Sequence, residues 1–195
     1  MAASPNLKVL IAEDDALVAL SLRGQLTELG HDVVGEARNG EEAVQLTNET
    51  SPDVILMDIK MPDMDGLTAS RTIMEQTPTA IVILTSYADD AFIRAADLVG
   101  VMNYLVKPVD EKGLAPALRI AHSRFREMLD LRREAESAQQ ALRERKIVER
   151  AKGILMRRLG IGEEEAYEHM RRKARDRRIK MAELAQTILA ADDVL

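Results

Sequence analysis

The chain has 195 residues, of which 46% are hydrophobic and 31% charged, and a net charge of −6 at neutral pH. This suits one large or two small domains of ordinary soluble composition. Cysteine is absent, which excludes disulfides and thiolate metal sites. No apolar run is long enough to span a membrane, and "MAASPNLKVLIAEDD" lacks the basic and apolar regions of a signal peptide, so a cytoplasmic location is the expectation.

The charge is unevenly spread. Arg143 to Lys180 holds 14 Lys or Arg against 7 Asp or Glu, a net +7, while the remainder carries 13 against 26, a net −13. An acidic part and a basic part with different partners are implied. Residues 1–6 read as a tail. Five apolar runs follow: KVLIA (8–12), VVGEA (33–37), VILMD (54–58), IVILT (81–85) and NYLVK (103–107). Several are continuously apolar, as parallel strands covered on both faces are. After the first run, Leu17, Leu20, Leu22, Leu26 and Leu29 fall near helical spacing, and Gly30 makes a stop. NGEEAVQLTNE (39–49) opens on an asparagine cap with acidic residues behind it. DGLTASRTIMEQ (65–76) and DDAFIRAADLVG (89–100) supply two more helices. Strand and helix alternating five times predict a doubly wound α/β sheet.

After Pro108 the character changes. From Glu111 to about Arg150 there is no glycine beyond Gly113 and no proline beyond Pro116, which predicts a long charged helix. Met128, Leu131, Ala135, Ala138 and Leu142 fit the a and d positions of about two heptads. A coiled-coil dimer and a solvated helical linker over 126–143 both fit this pattern. The last part, 144–195, predicts a bundle of three short helices. Their apolar faces carry Ile147, Ala151, Ile154 and Leu155 on the first, Ala166, Tyr167, Met170 and Ala174 on the second, and Met181, Leu184, Ala185, Ile188 and Leu189 on the third. Tyr167 is expected in the core rather than against a nucleic acid base.

Open α/β sheets form their sites beyond the carboxyl ends of the strands. Here those ends carry Glu13, Asp14 and Asp15, then Asp58, then Thr85 and Ser86, then Lys107 and Pro108. With strand order 2-1-3-4-5 these groups converge. Asp15 is expected to cap the first helix. The remaining carboxylates repel one another unless compensated, and Mg²⁺ takes such oxygens readily. With a lysine and a threonine hydroxyl nearby, these are the parts of phosphoryl transfer onto an aspartate.

The motifs LIAEDD, VILMDIKMPDMDG, ILTSY and YLVKPV resemble, in order and spacing, the receiver domain of two-component response regulators over 7–125. The resemblance implies a flavodoxin-like (βα)5 fold, Asp58 as phosphoacceptor for a sensor histidine kinase, and Mg²⁺ held by Glu13, Asp14, Asp58 and the Lys60 backbone carbonyl. It implies Thr85 and Lys107 at the phosphoryl group and Tyr104 as the switch aromatic, ordinary packing being the other reading of Tyr104. Val109 departs from the phenylalanine common after Lys-Pro.

The basic stretches RERKIVERAKGILMRRLG and MRRKARDRRIKM suggest contact with phosphates. AKGILM (151–156) and EAYEHMRRKA (165–174) resemble the ANTAR domain of AmiR- and NasR-type antiterminators. That implies binding to hairpin-loop RNA in leader transcripts, through unpaired bases. Lys152, Arg157, Arg171, Arg172, Arg175 and Arg178 are the RNA-facing candidates. A homodimer, at least when phosphorylated, would present two bundles to two loops. A protein-interaction adaptor and a DNA-binding regulator are the competing outputs. No second catalytic constellation follows Lys107, so an enzyme is not expected.

Overall fold

A computed structural model describes residues 6–86 and 101–192. Strands β1 (Lys8–Ala12), β2 (Asp32–Ala37), β3 (Val54–Asp58), β4 (Ala80–Thr85) and β5 (Asn103–Val106) alternate with helices α1 (Ala16–Glu28), α2 (Gly40–Thr50) and α3 (Gly66–Gln76). The sheet order is β2-β1-β3-β4-β5 and every pairing is parallel. The helix expected over 89–100 lies outside the described residues.

Strand alternation divides the core in two. Val9, Ile11, Val54, Leu56, Val82 and Leu84 face one side, against Leu22 and Leu26 of α1 and Leu114, Leu118 and Phe125 further along. Leu10, Ile55, Met57, Ile81 and Ile83 face the other, against Ala43 of α2 and Ala69 and Ile73 of α3. Every residue of β3 and β4 is buried, which explains their continuous apolar runs. Edge strand β5 instead alternates half-buried with exposed positions.

The first two helices start on the expected caps, and the third starts on an aspartate in the same way. Asp15 accepts from the N–H groups of Leu17 and Val18, Asn39 from Glu42 and Asp65 from Thr68. The leucine row of α1 does not act as one buried stripe. Leu22 and Leu26 are buried and Leu29 is partly so, but Leu17 and Leu20 are 77% and 65% exposed. Helical rotation carries residues 17 and 20 away from the face that 19, 22 and 26 present to the sheet.

The largest departure lies after β5. The linker and the first bundle helix are one continuous helix, α4 (Glu111–Leu159), followed by α5 (Glu163–Arg177) and α6 (Met181–Asp192). No glycine, proline or cap separates residue 143 from 144, so nothing stops the helix before Gly160, which takes φ +66°. The chain divides into compact units at Leu129 and Asp130, inside α4. In the second unit Ala151, Met170, Ala174, Leu184 and Ala185 form the core, flanked by Ile147, Val148, Leu155, Ile188 and Leu189. Three of the five core residues are alanine, which permits close helix approach. Acidic Glu163, Glu164 and Glu165 open α5, and Arg175 and Arg177 lie in its last turn, each complementing the helix dipole.

Candidate functional site

Parallel register brings the reactive groups level. Ala12 pairs with Met57, so Glu13 comes level with Asp58. Asp58 pairs with Leu84, one residue before Thr85, and Thr85 pairs with Val106, one residue before Lys107. Backbone bonds extend the order past the strand ends. Glu13 N–H donates to the Ala37 carbonyl at 2.9 Å and Lys107 N–H to the Thr85 carbonyl at 2.8 Å. The Lys107–Pro108 peptide is cis.

Lys107 Nζ lies 2.6 Å from Glu13 Oε2 and 3.0 Å from Asp58 Oδ1. Glu13, Asp58 and Thr85 are buried, whereas Asp14 is exposed. Burial pushes the Asp58 carboxyl above its ordinary range, against the pull of Lys107, and the Asp14 charge adds to the rise. Glu13 is raised by burial first, with Asp58 adding to it against Lys107. Burial alone would lower Lys107, but the hydrogen bonds and charges of Glu13 and Asp58 outweigh it and hold the ammonium above the usual lysine range.

One carboxylate oxygen each from Glu13, Asp14 and Asp58 lies within 4.8 Å of the other two. A hard-oxygen set of this size suits Mg²⁺, and buried carboxylates raised by desolvation gain from a divalent cation. The loop after Asp58 folds back tightly. Gly66 N–H donates to the Ile59 carbonyl at 2.9 Å. A Cβ on Gly66 would sit 1.9 Å from the Asp58 carbonyl oxygen, so glycine is needed for close approach. The left-handed residue of this loop is Asp63, with φ +63°. Tyr104 on β5 is 45% exposed. Val109 packs against the core beside α1, and its carbonyl accepts from Gln25 Nε2 at 3.1 Å.

The basic candidates separate. Arg157, Arg171, Arg172, Arg175 and Arg178 are exposed. Arg171 pairs with Glu168 at 3.0 Å, and Arg178 is a left-handed cap whose N–H closes α5. Lys152 is different: its side chain is 9% exposed, and Nζ lies 2.5 Å from Glu149 and 2.7 Å from Glu163. Those hydrogen bonds hold its ammonium above the usual lysine range. Tyr167 corrects the expectation of core packing. It is 44% exposed while its neighbour Ala166 is fully buried, because Ala166, Met170 and Ala174 take the inner face and residue 167 begins the next one.

A family model of the response regulator receiver domain matches residues 9–119, and one of the ANTAR domain matches residues 136–189. The chain belongs to the response regulators. The transcriptional regulatory protein PdtaR of Mycobacterium tuberculosis is 42% identical over 182 residues, 93% of this regulator and 89% of PdtaR. Chemotaxis protein CheY of Thermotoga maritima is 37% identical over 112 residues, 57% of this regulator and 93% of CheY. The signal receiver domain of a modulated diguanylate cyclase from Desulfovibrio desulfuricans G20 superposes with a TM-score of 0.60 at 34% identity, covering 64% of this regulator and 99% of that chain. Among the described residues no helix is long and apolar enough to cross a membrane.

Proposed function

We propose that this regulator accepts a phosphoryl group on Asp58 from a sensor histidine kinase and acts in the cytoplasm as an RNA-binding transcription antiterminator. The observation that carries the first half is the pairing of a buried Asp58 with Lys107 at 3.0 Å inside a cluster of carboxylate oxygens. The ANTAR match and the exposed arginines support the second. The receiver is assigned to 7–125, the linking stretch to 126–143 and the RNA-binding part to 144–195.

Asp58 acts as the carboxylate. Its oxygen bonds to phosphorus, the bond from phosphorus to the donor breaks, and the donor keeps the electron pair. Glu13, Asp14, Asp58 and the Lys60 carbonyl would hold Mg²⁺, which offsets the charge of the incoming phosphoryl oxygens. Lys107 balances Asp58 before transfer and pairs with a phosphoryl oxygen afterwards. The Thr85 hydroxyl turns toward the same oxygens, and Tyr104 follows as the switch aromatic.

On the output side, Arg157, Arg171, Arg172, Arg175 and Arg178 are assigned to hairpin-loop RNA in leader transcripts. Lys152, held between two carboxylates, ties the end of α4 to the start of α5. Exposed Tyr167 offers a face on which a loop base can stack. The heptad positions Leu131 and Leu142 are 59% and 53% exposed, which supports pairing of two copies along α4. Phosphorylation would favour that dimer and so raise RNA affinity. The direct test is labelling by an acyl phosphate: the native protein should gain an acid-stable, base-labile phosphoryl group, and Asp58→Asn none.

A further inference from the structure

The second unit contains a cleft that the arginines named above do not explain. It is about 230 Å³ in volume and lies among the end of α4, α5 and α6. Its floor is apolar, built from Leu155, Met170, Leu184 and Ile188. At its edge stand Lys173 and Arg177, one turn apart on α5 and both exposed. Among the described residues no carboxylate lines it. Lys152, Arg158 and Arg171 are each committed to an acidic partner. Neither Lys173 nor Arg177 makes an ion pair among the described residues. An open apolar floor beside two unneutralised cations calls for a ligand with an apolar face and adjoining negative charge.

An unpaired nucleotide has that chemistry. Its base is a flat, largely apolar ring and its flanking phosphates are anionic. Loop bases are free to splay out, whereas bases inside an A-form helix are hidden. The volume favours the same occupant. It is below the range of about 300–1,000 Å³ typical of drug-sized ligands, and so suits a single ring system. A partner helix would set several side chains along a groove, at i, i+3, i+4 and i+7.

We infer that this cleft receives one unpaired base of the RNA loop, with Lys173 and Arg177 taking the phosphates beside it. This rests on the RNA-binding function proposed above and adds its point of base readout. His169, one turn before Lys173 on the same edge, can donate a ring N–H to the base.

The test uses the full-length regulator and a pool of RNA hairpins with a fixed stem and randomised loop, from which the tightest binder is taken. Ala191 lines the cleft near the exposed end of α6, so Ala191→Phe fills it without changing charge. Ala191→Phe should weaken binding of the selected hairpin about tenfold or more. At one loop position, removing the base should cost the native protein a similar factor, and combining the two changes should add nothing further. Lys173→Gln and Arg177→Gln should each make the dependence of log affinity on log salt shallower by about 0.7. If Ala191→Phe lowers the helical circular dichroism, Thr187→Tyr on the same wall replaces it. Native-like affinity in a folded cleft-filling variant, or fully additive losses with every abasic loop, would overturn the inference while leaving RNA binding intact and the cleft to another occupant. Failure of the native protein to select any hairpin would overturn both.

Discussion

Asp58 owes its character to where β3 stops. A carboxylate one residue earlier or later would lie among apolar neighbours, because Met57 and Ile59 both belong to the buried core on the other face of the sheet. At position 58 it is 6% exposed, and burial raises its protonation range. Only between the ordinary aspartate range and the raised one does the folded receiver keep a proton there that the unfolded chain releases. Because the folded value is the higher one, the contribution of Asp58 to stability is greatest in acid and falls as pH rises from the ordinary aspartate value of about 4 through the raised one. Asn at this position does not titrate. In Mg²⁺-free buffer the native protein should thus lose thermal stability relative to Asp58→Asn as pH rises across that window, and added Mg²⁺ should narrow the gap at neutral pH. A gap independent of pH, or moving in the native protein's favour, would contradict this electrostatic account. Gly66 makes a purely steric case. Its missing Cβ would overlap the Asp58 carbonyl, and backbone cannot yield as a side chain tip can. Gly66→Ala should cost about 3 kcal/mol and slow labelling of Asp58. Urea melting with the stability of Gly24→Ala as control, where a Cβ meets nothing within 4 Å, checks it.

At the scale of elements, the strands were legible because β3 and β4 are buried on both faces and read as unbroken apolar runs. The converging strand ends were legible for the same reason: parallel register places consecutive strand ends at one level. Amphipathic helices were less so. Leu17 and Leu20 belong to the sequence pattern of α1 but not to its buried face, and spacing alone does not say how wide that face is. Tyr167 was misplaced by one helical position. Lys152 read as one more surface cation because its partner Glu163 lies eleven residues away, across the turn that Gly160 opens. That the linker and the first bundle helix run on as one α4 was not legible, since a change of packing partner within a helix leaves no stop signal. That same uninterrupted helix exposes Leu131 and Leu142 on the heptad seam. Replacing both by Glu should leave each unit folded, since neither side chain is in a core, and should prevent dimer formation after phosphodonor treatment. Sedimentation of the doubly substituted protein checks this, and a dimer of undiminished strength would remove α4 as the interface.

Across the whole molecule, an acidic receiver unit and a basic helical unit are carried on one chain, joined within α4. The charge division was visible in composition, yet composition could not separate cations held in ion pairs, such as Lys152 and Arg158, from cations left open, such as Lys173 and Arg177. What couples the units is the central claim: phosphorylation of Asp58 raises RNA affinity. The measurement that tests it most directly is binding of the full-length protein to a two-loop hairpin RNA, with and without an acyl phosphate and Mg²⁺, beside Asp58→Asn. Tighter, salt-sensitive binding after phosphodonor treatment, absent in Asp58→Asn, is the expected result. Equal affinity in all conditions, with Asp58 demonstrably phosphorylated, would contradict the coupling. No RNA binding in any condition would turn the ANTAR unit toward a protein partner instead.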